Sequence, residues 1–300
     1  MIGELTFDHK GTKEGETLNA SLRIFTTPRQ HEANAADFSD GSAFSADKLK
    51  RFLTVNGAVD WQHPMGKREI LSLGATWDRS TMSEIYRFES SGSDLSGLTA
   101  ADQFNGVDDK FAAYATFQQP IGDWTMMPGV RAERDSRRIS SRGHPDVAIG
   151  HTDLFPTLHV DHAITKALDL TLSYSKRIDR RDLNDLRPYA IVQDVLTVKQ
   201  GNPRLKDQLT DAYEINLHYH RKKVDAGIII YDRETSRLWS PDYTVVDGVN
   251  VFTWINSGHR RSTGAEFDLA APVIPRVKFT TSVNLFYVRT PVGAGSGRSS

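Results

Sequence analysis

The chain of 300 residues has no cysteine, so disulfides, thiolate metal sites and cysteine nucleophiles are all excluded. It also lacks a charge excess of either sign. The formal net charge is -1, which argues against nucleic acid as a partner, because phosphate binding needs a positive surplus. No run approaches the length of apolar residues that a spanning helix needs, and the first residues do not form a basic stretch followed by an apolar one. Mean hydropathy is -0.45, a value typical of soluble proteins. The average hides the pattern when apolar and polar residues alternate.

Alternation is what the chain does have. Leu168, Leu170, Leu172 and Tyr174 interleave with Asp169, Thr171, Ser173 and Ser175. Val277, Phe279, Thr281, Val283, Leu285 and Tyr287 interleave with Lys278, Thr280, Ser282 and Asn284, and Leu53 to Trp61 and Leu71 to Trp77 repeat the scheme. Successive side chains of a strand point to opposite faces, so each segment is a strand with one apolar face. About twelve strands are predicted, near 3–8, 17–25, 52–61, 70–78, 111–118, 124–134, 153–163, 168–176, 212–220, 224–233, 264–270 and 277–288.

The connections give the class. Short turns at Gln62, Gln119, Ile164, Arg221 and Ala271 alternate with long segments at 26–51, 79–110, 135–152, 177–211 and 234–263. Long loops at every second connection fit a transmembrane barrel, whose two rims face different compartments. Trp61 and Trp124 fall at the short-turn ends of their strands; Trp77, Tyr174, Tyr213 and Tyr287 fall at the long-loop ends, as two interfacial girdles require. Arg131, Glu133, Glu214 and Glu266 are expected to face the lumen. The fold class is therefore all-β, an antiparallel transmembrane β-barrel, with residues 1–300 forming one barrel domain.

Chemical motifs are sparse. The tail Gly293 to Ser299 resembles a phosphate loop but has Arg298 where lysine belongs, and no α/β context. From Val292 on, the chain is expected to begin another outer loop. His218 and His220 share a strand face near His159 and His162, yet no third metal ligand can be placed. Arg177 to Asp182 has the pattern of a self-neutralising, solvated loop base. No catalytic residue, cofactor or metal is assigned, since no acid–base pair or Gly-x-Ser-x-Gly elbow stands out.

Several stretches resemble the barrel of TonB-dependent outer-membrane receptors, in particular the outer membrane protein beta-barrel group. Val59-Asp60-Trp61-Gln62-His63-Pro64-Met65-Gly66-Lys67 is similar to that group's DYxHPxxK turn. Tyr174 to Arg181 followed by Leu186-Arg187-Pro188 resembles YSxRIxRP…LNP, and Gly201-Asn202-Pro203-Arg204-Leu205-Lys206-Asp207-Gln208 resembles GNPxLKPE. Asn256 with Gly264-Ala265-Glu266 resembles the N…GxE strand entry. Arg181 stands where proline is usual, Arg187 lies within LNP, and Asp207-Gln208 replaces Pro-Glu.

The resemblance implies a piece of a larger barrel of 22 strands, without the plug domain or the closing strands, and thus an open sheet with two free edges. It implies TonB-dependent uptake of a scarce small molecule, such as an iron–siderophore complex, across the outer membrane of a Gram-negative bacterium. The partners implied are outer-membrane lipid, the ligand, and TonB through the plug region. An outer-membrane enzyme on a barrel and a soluble β-rich adhesin or carbohydrate-binding protein are the alternatives. Loops 79–110, 177–211 and 234–263 are expected outside the cell, with Arg187, Tyr189 and Lys206 as ligand-facing candidates.

Overall fold

A computed structural model describes residues 1–37, 43–91, 101–194, 197–246, 248–274 and 277–290. The segment from Val292 to Ser300 and the turn at 275–276 lie outside the described residues. Twelve strands follow one another as an antiparallel meander: β1 (Ile2–Lys10), β2 (Thr17–Thr26), β4 (Ala43–Pro64), β5 (Ile70–Ser91), β6 (Ala101–Ile121), β7 (Trp124–Ser141), β8 (His144–Thr165), β9 (Leu168–Asp179), β12 (Gln208–Arg221), β13 (Val224–Ser236), β16 (His259–Ile274) and β17 (Val277–Arg289). Strand β3 (Gln30–Asp37) pairs with β4 beyond the end of β2, so β2 and β3 share one edge of β4. Pro28, which has no N–H to give the ladder, sits in the break between them.

Each expected strand is present, and β4 to β8 run far past their expected ends. A strand of 22 residues, as in β5, spans roughly 70 Å, whereas a tilted strand crosses a bilayer in about 9–11 residues. Much of the segments 79–110 and 135–152 is therefore ladder and not loop. The β7–β8 connection narrows to Arg142-Gly143, with Gly143 at φ 76°. The opposite rim keeps its short turns, with Gly122 (φ 62°) and Lys222 (φ 54°) supplying the left-handed residues that two-residue hairpins need.

Cross-strand partners share a face, which makes the wall legible row by row. One row runs Val160, Leu172, Ile215, Ile230, Ala265, Leu285; the adjacent row on the opposite face runs Asp161, Thr171, Asn216, Ile229, Glu266, Asn284. The first face suits lipid. The second suits an aqueous lumen, and it carries Arg131, Glu133, Glu214 and Glu266 as expected.

Trp61, Trp77, Trp124, Tyr174, Tyr213 and Tyr287 all fall on the lipid face, with the rings of Tyr174 and Tyr213 5.0 Å apart. Directly outside the Trp77–Phe111 pair, the same face switches to an ion pair, Arg79 with Asp109 at 3.2 Å. That pair marks where hydrocarbon ends. Strands β1 and β17 end the sheet, and among the described residues they do not pair with each other, so the wall is open.

Candidate ligand-facing platform

The two longest outer connections build a second sheet. Strands β10 (Ala190–Asp194), β11 (Thr197–Gln200), β14 (Trp239–Val246) and β15 (Val249–Asn256) order as β10-β11-β15-β14, with β11 and β15 parallel. With a short 3-10 helix, Leu183–Leu186, this platform folds back over the lumenal face of β4 to β7. The seam is an apolar core of Met82, Tyr86, Phe88, Phe104 and Ile139 from the wall against Leu183, Leu186, Ile191, Val198 and Leu205 from the platform. Apolar burial of this kind works in water as in any soluble domain.

The segment 201–208 is the hinge of the platform. A Cβ on Gly201 would come within 2.4 Å of the Arg187 carbonyl oxygen, so only glycine lets these two backbones touch. The Asn202 backbone N–H donates to the Asp185 carbonyl at 2.8 Å, and its side-chain amide donates to the Trp254 carbonyl at 2.9 Å. Asn256 closes the ring: its Oδ1 accepts from the Lys206 N–H at 2.7 Å, and its Nδ2 donates to the carbonyls of Lys206 (2.9 Å) and Arg237 (2.8 Å). The motif residues Asn202 and Asn256 thus satisfy backbone groups that no ladder serves. Arg181 lies between the rings of Trp239 and Trp254, 4.2 and 4.0 Å from their centroids.

Of the three expected ligand-facing residues, the structure turns two inward. Arg187 Nη1 donates to both oxygens of Glu84 at 2.6 and 2.8 Å, and the Tyr189 hydroxyl donates to the same carboxylate at 2.7 Å. Lys50 approaches Glu84 at 3.4 Å and donates to Asn184 Oδ1 at 3.1 Å. The Glu84 side chain is 0% exposed, and these donors meet both of its oxygens in place of water. Burial pulls the Lys50 ammonium below its usual range against the pull of Glu84, and burial beside that carboxylate raises the Tyr189 phenol. Arg187 and Tyr189 brace the platform against the wall. A loop that returns to a wall needs its own polar key, and that need outweighed the solvent-facing look of the segment. Lys206 alone of the three is exposed.

A second polar cluster lies on the wall below the hinge. Arg180 donates through Nη2 to Glu133 and through Nε to Asp135 at 2.9 Å. Arg137 donates to Asp108 at 3.4 Å, and Arg131 to Glu133 at 3.0 Å. Asp207 is buried beside them, and burial raises its carboxyl and that of Asp108 above the usual carboxylate range despite the neighbouring guanidiniums. Arg180 and Arg181 were expected in a solvated loop base. Their partners here come from β7 and from the platform, which sequence spacing does not show.

At the opposite rim, Asp169 joins His218 and His220 on the lumenal face, with His220 Nδ1 3.3 Å from Asp169 Oδ2. These side chains are 42 to 50% exposed. His162 instead stacks on Trp124 on the lipid face, 4.1 Å between centroids, so it does not join the pair.

Comparison with known proteins agrees with this architecture. The profile of a family described as "Outer membrane protein beta-barrel family" matches residues 9–298. No curated protein sequence matches. Among solved structures, the copper transporter OprC superposes with a TM-score of 0.72 at 12% identity, covering 96% of this chain and 46% of its own. The unliganded ferric citrate transporter FecA gives 0.68 at 11% identity, covering 96% and 42%. The ferric yersiniabactin uptake receptor FyuA from Yersinia pestis gives 0.64 at 12% identity, covering 96% and 42%. The chain thus spans less than half the length of each of these structures, and at such identity the likeness is one of fold.

Proposed function

The chain belongs to the outer membrane protein beta-barrel family and lies in the outer membrane of a Gram-negative bacterium; from there we propose that it forms the barrel wall and outer loops of a TonB-dependent receptor that takes up a scarce ligand such as an iron–siderophore complex. The observation that carries this reading is the platform. A bare pore has no need of a keyed, glycine-hinged sheet folded over its lumenal face, whereas a receptor needs a rigid support for ligand contacts. Transport and not catalysis is the proposed activity. Energy would come from TonB through a plug domain within a barrel of 22 strands.

The proposed contact surface is the exposed side of the hinge and of β14. Lys206 and Arg204 stand exposed in one turn and offer cations to an anionic chelate, and Tyr243 (68% exposed) offers an apolar face nearby in sequence to Trp239. Arg187 and Tyr189 act through the position of that surface.

Uptake of radiolabelled ferric siderophores by iron-starved cells tests the proposal. Deletion of the gene should reduce uptake of at least one chelate to background, and a protonophore should do the same in the parent strain. Replacing 190–200 by a Gly/Ser linker should lower uptake while the barrel still assembles. Epitope tags should be labelled on whole cells near Asp194 and not near Lys67. Uptake indifferent to both deletion and protonophore, across a panel of chelates, would overturn the reading.

A further inference from the structure

Asp207, His151 and Asp153 in the wall cluster hold ligand atoms that no hydrogen bond of the barrel or the platform uses, beside Asp135, which already accepts from Arg180. Asp135 and His151 are direct cross-strand partners on β7 and β8, and Asp207, the residue before β12, reaches them from the hinge. One ligand atom from each of the three lies within 4.8 Å of the other two. Asp153, two residues further along β8, adds an oxygen 3.1 Å from His151 Nε2.

This arrangement is not a completed salt-bridge network. Asp207 is 4% exposed, and both of its carboxylate oxygens lack a hydrogen-bond partner; His151 Nε2 and Asp153 Oδ2 lack one too. The nearest guanidiniums stand off from Asp207, Arg137 at 3.7 Å and Arg180 at 3.7 Å. Their hydrogen bonds go to Asp108, Glu133 and Asp135 instead. In the ion pairs of this patch, Asp108, Glu133, Asp135, Asp153 and Asp207 face Arg131, Arg137, Arg180 and His151; with the imidazole neutral, as a metal ligand must be, five carboxylates meet three guanidiniums and two are left unmatched. Buried carboxylates without donors are costly, and a bound cation is one way to offset that cost.

We propose that Asp135, His151 and Asp207, with Asp153 in reach, bind one divalent first-row transition cation that pins the platform to the wall. Charge sets the valence, since two unmatched carboxylates balance one dication. Chemistry sets the class. Carboxylate oxygens with one imidazole and no thiolate suit zinc or manganese, whereas calcium and magnesium take oxygen donors alone. Metal–ligand bonds of about 2.0–2.2 Å require these side chains to close in on binding. The cation would join β7, β8 and the hinge, so loading it orders the platform. Asp207 stands where the resembling motif has proline, which makes this a property of this chain.

The test uses the protein purified from outer membranes in detergent, stripped with chelator and dialysed against zinc chloride. We expect one zinc per chain, with tryptic cleavage at Lys199 and Arg204 slowed by zinc but not by calcium. Asp207→Asn and His151→Ala should each weaken zinc binding at least about tenfold, while His218→Ala, in the exposed cluster at the other rim, leaves it unchanged. Heat-modified gel mobility identifies any variant that fails to fold. The wild-type protein decides regardless: its zinc absorption edge should fit a shell of oxygens with a single imidazole. Substoichiometric zinc in the wild type, a shell with two imidazoles, or loss of binding only in His218→Ala would overturn the proposal.

Discussion

Residues 70–78 and 82–88 of β5 belong to one unbroken strand, yet they place most of their apolar side chains on opposite faces, Ile70 and Ile85 being the exceptions. In the first half, Leu71, Leu73, Ala75 and Trp77 point to lipid, while Ser72, Thr76 and Asp78 point to the lumen. In the second half Met82, Tyr86 and Phe88 point inward and are at most 2% exposed, while Ser83, Arg87 and Glu89 point outward. The register with β4 is one-for-one from Pro64–Ile70 to Ala43–Ser91, with no bulge to turn the strand over. The reversal is therefore written in the side chains. Where hydrocarbon is the solvent, apolar groups face out; where water is, they face the platform.

The two halves should fail differently. The largest effect is expected in the watered half, from Glu84→Ala. It leaves the buried Arg187 and the partly buried Lys50 without their carboxylate, at a cost of about 3–5 kcal/mol. The platform should release, seen as rapid proteolysis within 180–207, while the lower strands keep their heat-resistant mobility. Loss of the whole barrel would show that platform and belt are one cooperative unit.

A slightly smaller effect is expected in the belt. Leu217→Arg, on the lipid face, should cost about 2–4 kcal/mol in urea titrations of the folded, membrane-inserted protein. Its neighbour Asn216→Arg, on the lumenal face, should cost under about 0.5 kcal/mol. Equal costs would mean that the two faces are not distinguished by solvent.

Lys206→Ala should change stability least, by under about 0.5 kcal/mol, because only its backbone is held, by Asn256 and Trp239. Uptake of an anionic chelate should nevertheless fall severalfold. Unchanged uptake would move the ligand surface away from the hinge.

The same contrast explains what the sequence made legible. Every strand of the belt is visible from its alternation, because lipid enforces one apolar face over the roughly 9–11 residues that cross the bilayer. The outer halves of β4 to β8 are harder to recognise, since the alternation continues in the opposite phase: Met82, Tyr86 and Phe88 follow Trp77 an odd number of residues on. Strands β10 and β11, with 5 and 4 residues, are too short to show a period. The 201–208 motif was visible by resemblance, although its role as a hydrogen-bonded hinge needed Asn256, 50 residues away from Lys206. The inward turn of Arg187 was not visible. Its partner Glu84 is 103 residues distant, and nothing local distinguishes a buried arginine in a proline-flanked loop from a solvated one. Asp207 was noticed as a departure from the motif, but its neighbours come from β7 and β8 and only the fold brings them together.

Nitroxide scanning along the lipid-facing side of β5 tests the inversion most directly. Labels at Leu71, Leu73 and Ala75 in a reconstituted bilayer should collide with oxygen far more than with a water-soluble nickel chelate. Labels at Thr81, Ser83 and Arg87 should show the reverse, with the crossover between Trp77 and Thr81. Oxygen-dominated collisions continuing through Arg87 would place that half of the strand in hydrocarbon, and would contradict both the membrane boundary at Arg79–Asp109 and the water-exposed platform packed beyond it.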